Sequence, residues 1–170
     1  AYDPADVAIY NQSAVYPHFY NDTVLEMRDT TIQSYAHLNG ASMSVYDSNF
    51  IYAYYIDLYF QADYTYMENV NITPSATATY GSIFNFDGGL FVFRDFNLTF
   101  YNTYNNWQST LTLKGTFDVE DSVFGAVGRE SRYTYFYMTD TIGNFTNTYF
   151  AGGDQLPVHM DVSNVSFDNC

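Results

Sequence analysis

Basic residues are scarce in this chain. Five Lys and Arg stand against 19 Asp and Glu, for a formal net charge of −14. No cationic surface exists to displace counterions from a phosphate backbone, so nucleic acid is excluded as a general partner. Cysteine is scarcer still. Cys170 is the only one, so no disulfide can close within the chain, and an odd thiol in a secreted protein points to a mate elsewhere. Long apolar runs are missing too. The nearest approach to a membrane-spanning helix of ~18 apolar residues, Phe50 to Phe60, is broken by Asp57 and by tyrosines. No membrane insertion is expected. The three histidines, His18, His37 and His159, are scattered without ligand spacing.

What is present points to strands. Aromatic residues reach 21%, with 19 Tyr and 15 Phe, and both types favour extended backbone. Hydrophobic residues at 47% against charged ones at 14% argue against disorder. At 170 residues the chain suits one domain with a real core.

A six-residue pattern recurs: apolar, any residue, Asp or Asn, two free positions, then Phe, Ile or Leu. It reads Val45 to Phe50, Met67 to Ile72, Phe93 to Leu98, Val119 to Phe124, Phe145 to Phe150 and Val162 to Phe167. The four central copies, starting at Met67, Phe93, Val119 and Phe145, are equally spaced, and the intervals on either side of them are shorter. A fixed period in the range of roughly 20–50 residues means one structural unit is being stacked. Within a unit the alternation is period-2, so the unit is built of strands. One unit reads as a strand at Ser82 to Phe86, a turn at Asp87-Gly88-Gly89, a strand at Leu90 to Asp95, a short strand at Asn97 to Phe100 and a loop at Asn102 to Trp107.

Stacking units in register turns the pattern into columns. The first and sixth positions, and the one two before the first, are apolar except at Thr65 and Gly143, and form the core. The second position, with Glu68, Arg94 and Glu120 in succession, is an outward charge ladder. The third, all Asp or Asn, tolerates left-handed backbone and marks a solvent-facing turn. These spacings predict an all-β fold, a parallel β-helix of about five to seven rungs. Residues 41–170 form the β-helix. Residues 1–40, with Pro4 and Pro17, fit poorly and are expected to form an irregular N-terminal cap or inter-subunit segment, with one candidate rung at Met27 to Ile32.

Six N-x-Ser/Thr sequons occur, at Asn11, Asn21, Asn71, Asn97, Asn144 and Asn164, about twice what chance placement gives. Few lysines, one cysteine and this excess suggest a secreted, N-glycosylated protein of the extracellular space or cell surface. The start at Ala1, without Met, fits a processed protein or an excerpt of a longer one. The fifth position, Asn49, Asn71 and Asn97 in succession, reads either as an inward asparagine ladder or as an outward column carrying glycans. Alternation favours the outward column, and Pro74 after the Asn71 sequon makes Asn97 the better candidate.

The motif resembles the rungs of right-handed β-helix proteins of the pectin-lyase-like superfamily, over residues 40–170. It is closest in style to repeat-built surface proteins and adhesins with an apolar-x-Asn-Ser-x-Phe signature, as in Val45 to Phe50 and Phe145 to Phe150. The resemblance implies the right-handed coil and, for many members, cleavage of acidic polysaccharides. The polygalacturonase-like motif set is missing: Asn102-Thr103 is followed by Tyr104, and no two aspartates are adjacent. Asp95 and Asp121 could approach the separation of a hydrolytic pair, but acidic stacked folds make such pairs routinely. Arg94, between Glu68 and Glu120, reads as a ladder residue. No catalytic residue, cofactor or metal site is assigned; calcium between Asp95 and Asp121 is the lesser alternative.

The expectation is therefore a noncatalytic structural or adhesive glycoprotein. It would be a filament subunit assembling through its β-helix ends, or a module of a longer stalk. Its partners would be copies of itself or adjoining chain segments, with Cys170 as a candidate for an intermolecular disulfide. The alternative is a polysaccharide-binding or polysaccharide-cleaving β-helix, for which outward tyrosines such as Tyr59, Tyr64, Tyr66, Tyr135 and Tyr137 are the hint.

Overall fold

The computed structural model describes residues 6–15, 18–19, 23–33, 36–52, 57–74, 83–101, 109–127, 134–151, 158–161 and 163–170. The strands are β1 (Asp6–Tyr10), β2 (Ser13–Val15), β3 (His18–Phe19), β4 (Val24–Arg28), β5 (Thr31–Gln33) and β6 (Ala36–Tyr46). They continue with β7 (Asn49–Tyr52), β8 (Asp57–Glu68), β9 (Asn71–Pro74), β10 (Ile83–Arg94), β11 (Asn97–Tyr101) and β12 (Ser109–Glu120). The last are β13 (Val123–Val127), β14 (Thr134–Thr146), β15 (Tyr149–Ala151), β16 (Val158–Asp161) and β17 (Asn164–Asp168). No helix occurs among the described residues.

One sheet runs β1-β4-β6-β8-β10-β12-β14-β16, with β17 also on β14 and β3 on β6; the other runs β15-β13-β11-β9-β7-β5-β2. The pairings are parallel, and each strand lies beside its equivalent one unit away. The fold is a parallel β-solenoid. The long strands β8, β10, β12 and β14 bend midway, so each rung presents a first face (83–87 in β10), a second face (90–94) and a third face (97–101 in β11).

The bend replaces the turn expected at Asp87-Gly88-Gly89. The strand β10 continues through it, and its register against β12 shifts between Asp87 and Leu90. Glycine is there because the neighbouring backbone is close. A Cβ on Gly88 would lie 2.1 Å from the Ala62 carbonyl oxygen. On Gly115 it would lie 2.3 Å from the Gly88 oxygen, at a φ of +120°.

The corner between the second and third faces uses the third motif position. Asp47, Asn69, Asp95, Asp121 and Asn147 have φ between 47° and 53°, the left-handed conformation that short polar side chains tolerate. The amide of each donates forward to the next rung, as Asn69 does to the Arg94 carbonyl at 3.0 Å. The fifth-position amide donates backward, as Asn97 does to the Val70 carbonyl at 2.9 Å. The chain thus turns without leaving the ladder.

Three expectations change. About three regular turns of equal length are present, stepping through Met67, Phe93, Val119 and Phe145, rather than five to seven rungs. Shorter steps precede them, from Met27 to Val45 and from Val45 to Met67. Secondly, the N-terminal segment is less irregular than expected. From Asp6 onward β1 pairs with β4 in register, and Asn11 and Asp29 occupy the corner with φ of 52° and 50°. Thirdly, Val162 to Phe167 is not the last copy of the motif. Phe167 pairs with Phe145, and the corner residue is Asn169, with φ 53°. Asn164 lies instead in β17, opposite Ile142. The tight final interval was a coincidence of composition; Phe167 carries the first position of the rung that follows Phe145.

Aromatic stacking fills the core. Phe60 and Phe86 stack at 4.8 Å between centroids, as do Phe91 and Phe117. Of the two interruptions, Gly143 tucks beneath Phe117, whose carbonyl oxygen is 2.8 Å from where a Cβ would stand. Thr65 is fully buried, and its hydroxyl has no hydrogen-bond partner among the described residues.

Thr65→Val removes a buried hydroxyl that makes no bond while keeping its shape. It should raise unfolding free energy by about 1 kcal/mol in denaturant titration. Gly115→Ala should lower it by about 2–3 kcal/mol, because backbone cannot yield as a flexible side chain would.

Candidate functional site

Three surfaces carry the side chains singled out by sequence: the Asp/Asn corner, the second face and the first face near its last rungs.

At the corner, Asp95 and Asp121 are exposed. The sequence places them at a solvent-facing turn, and they stand there. Side chains of the column bond across rungs with one polarity: Asn69 Nδ2 donates to Asp47 Oδ1 at 2.7 Å, Asn147 Nδ2 to Asp121 Oδ1 at 3.1 Å, and Asn169 Nδ2 to Asn147 Oδ1 at 2.7 Å. Asp121 has no proton to donate to Asp95 in the same way. No group of three or more His, Cys, Asp or Glu poised to hold a metal occurs among the described residues.

The fourth motif position, read from sequence as free, faces inward. Thr30, Ser48, Val70, Phe96, Ser122 and Thr148 are all buried. Each hydroxyl is satisfied by the carbonyl two residues back, as Ser48 Oγ donates to Tyr46 O at 2.6 Å and Ser122 Oγ to Glu120 O at 2.8 Å. Cys170 holds this position in the last rung and is exposed, its Sγ 3.2 Å from the Phe145 carbonyl oxygen. The signal was available: from Thr30 onward this column holds only hydroxyl, apolar or thiol side chains, and only the first rung departs from it, with an exposed Gln12.

On the second face the expected Glu-Arg-Glu ladder is one-sided. Arg94 bonds Asp118 Oδ2 at 2.5 Å and lies 3.5 Å from Glu120 Oε2, while Glu68 accepts from the Tyr66 hydroxyl at 3.0 Å. Burial, then the bond to Glu68, pushes the Tyr66 phenol up from its ordinary pKa. Further along, Arg28 pairs with Glu26 at 2.8 Å and lies 3.9 Å from the centroid of the Tyr46 ring. The guanidinium hydrogen bond lowers the Glu26 pKa and raises that of Arg28. The Arg94 guanidinium is thus held by two carboxylates of the rung ahead.

The same face carries an apolar column missed from sequence. Tyr64, Leu90 and Ile142 fall in one line with Thr116 between, and they are 37%, 36% and 58% exposed. Their place in the same repeat, three residues before each motif start, was the available signal. Beside Ile142 lies a groove of about 230 Å³, lined by Thr116, Asp118, Asn144, Asn164 and Ser166 among others.

On the first face, Tyr135, Tyr137 and His159 make an outward shelf. The Tyr137 and His159 rings stack at 5.1 Å and Tyr135 and Tyr137 at 6.1 Å. The backbone register also sets His18 beside His37, a proximity the scattered spacing concealed.

The sequons separate. Asn11, Asn144 and Asn164 are exposed; Asn71 and Asn97 are half-buried on the third face, with Asn97 Nδ2 3.4 Å from Asn71 Oδ1. Asn21, Tyr54, Tyr55, Tyr133, the loop from Asn102 to Trp107 and Gly152-Gly153-Asp154 lie outside the described residues.

Comparison with protein-family models, with curated proteins and with solved structures finds no match.

The corner polarity makes a definite prediction. Asp121→Asn supplies the missing donor toward Asp95 and removes one of two neighbouring carboxylates, so it should stabilise the fold by about 0.5–1 kcal/mol. Asp121→Ala, which loses both the bond and the side chain suited to positive φ, should destabilise it by about 1–2 kcal/mol. Paired thermal melts check both signs.

Proposed function

We propose that the chain is a noncatalytic structural or adhesive module of an extracellular or cell-surface protein. It acts by continuing its stack, through a second copy or an adjoining segment, as a filament subunit or part of a stalk. The observation that carries this reading is the exposure of the last described rung. Phe167 and Met160 are 43% and 52% exposed, whereas their partners one rung back, Phe145 and Met138, are fully buried. Covering such side chains is worth about 1.5–3 kcal/mol each, and β17 and β16 offer one backbone edge for pairing.

The noncatalytic part is supported by the positions of the acids. Asp95 and Asp121 are accounted for by the backbone conformation of the corner, and Arg94 by its pairing with Asp118 and Glu120. The right-handed coil sense and kinship with pectin-lyase-like β-helices belong to this reading and rest on the style of the motif. The aromatic shelf of Tyr135, Tyr137 and His159 favours a second reading, a surface that binds polysaccharide by ring stacking.

Sedimentation velocity over a range of concentrations, with negative-stain imaging, tests assembly. The expected result is concentration-dependent self-association that Phe167→Glu weakens at least tenfold. A strict monomer at every concentration overturns the filament version. A depolymerisation assay on acidic glycans, with Asp95→Asn and Asp121→Asn as controls, is expected to show no turnover. Turnover abolished by either substitution would contradict the noncatalytic reading.

A further inference from the structure

We propose that Asn144 carries an N-linked glycan that lies over the second face, and that Asn71 and Asn97 stay unmodified. The inference rests on the extracellular reading and goes beyond it in selecting the site.

Asn144 projects outward from β14. Its neighbour Phe145 is fully buried and anchors the strand from the other side. Its Oδ1 accepts from Ser166 Oγ at 2.6 Å, and no hydrogen bond engages its Nδ2 among the described residues. That nitrogen is the atom a glycan takes. The groove of about 230 Å³ beside it gives the first sugar room, with Thr116, Asp118 and Ser166 as polar lining. Two residues away on the same face stands Ile142, 58% exposed, at the end of the column begun by Tyr64 and Leu90. A glycan here covers apolar surface that the described residues leave open.

Both third-face asparagines are half-buried where Asn144 is exposed, and at Asn97 the nitrogen itself is engaged. Asn97 Nδ2 donates to Asn71 Oδ1 at 3.4 Å, and Asn97 Oδ1 accepts from Thr99 at 3.3 Å. The two asparagines are register partners, so glycans on both would sit about 4.8 Å apart. A glycan on Asn97 requires the rung contact to open. Copies modified there fail to close the stack and are missing from the folded, secreted pool.

In the transfer, Asn144 Nδ2 attacks the anomeric carbon of a lipid-pyrophosphate-linked oligosaccharide. One N–C bond forms, the anomeric C–O bond breaks, the pyrophosphate lipid leaves with the electron pair, and the amide nitrogen gives up one proton.

The test is to secrete the full 170-residue chain from eukaryotic cells. The folded fraction is treated with peptide N-glycosidase in heavy-oxygen water, and the Asn-to-Asp conversions are mapped. The expected result is the mark at Asn144 and at neither Asn71 nor Asn97, and Asn144→Gln lowers the intact mass by one glycan. A mark at Asn97 or Asn71, or marks at other sequons with Asn144 bare, overturns the site assignment while leaving the extracellular reading intact. No mark at any sequon overturns both.

Discussion

The structure depends on a corner. At the third motif position a short polar residue takes left-handed backbone, donating its amide to the rung ahead while the residue two further on donates to the rung behind. A chain that turns between two sheets ordinarily leaves polar backbone groups unpaired at the bend. Here both amides remain in the ladder, so the bend keeps two donors paired that a turn would otherwise free. The inward fourth position completes the corner, because its hydroxyl caps the carbonyl of the second position. The parallel register, the aromatic columns and the outward charges all follow from every rung turning at the same place.

That constraint explains which features came out of the sequence and which did not. Asp and Asn at the third position are readable because few side chains tolerate positive φ, so the column from Asp47 to Asn147 announced itself. The core columns were readable from alternation. The bend at Gly88 and Gly89 reads as a turn in sequence, because a glycine pair signals a loop as readily as a close backbone approach. The last rung was misread for a different reason. Val162 to Phe167 meets the pattern by composition, and only pairing shows that Phe167 belongs beside Phe145. In the N-terminal segment the third position survives at Asn11 and Asp29. The shorter steps between those rungs break the period that marks the rest of the chain.

The candidate surfaces were less legible. Sequence supplies lists of aspartates, tyrosines and sequons, but function depends on which of them share a face and which atoms are already bonded. Arg94 between two glutamates looked symmetrical in sequence, yet it leans to Asp118 and Glu120 while Glu68 goes to Tyr66. Asn97 looked like the accessible sequon by alternation, yet its nitrogen is committed to Asn71. Tyr64, Leu90 and Ile142 looked unrelated until the register aligned them. A solenoid spends its repeat on building itself. What distinguishes one face from another is the departures from the repeat.

Everything else rests on the in-register parallel stack turned by left-handed corner residues. Nuclear Overhauser spectroscopy on the isotopically labelled chain tests it most directly. The fold predicts strong amide-to-own-Hα contacts at Asp47, Asn69, Asp95, Asp121, Asn147 and Asn169, together with contacts across rungs pairing Phe145 with Phe167 and Phe93 with Val119. Hα-to-Hα contacts between neighbouring strands, the mark of antiparallel hairpins, or pairing of Phe145 with Val162, would contradict it.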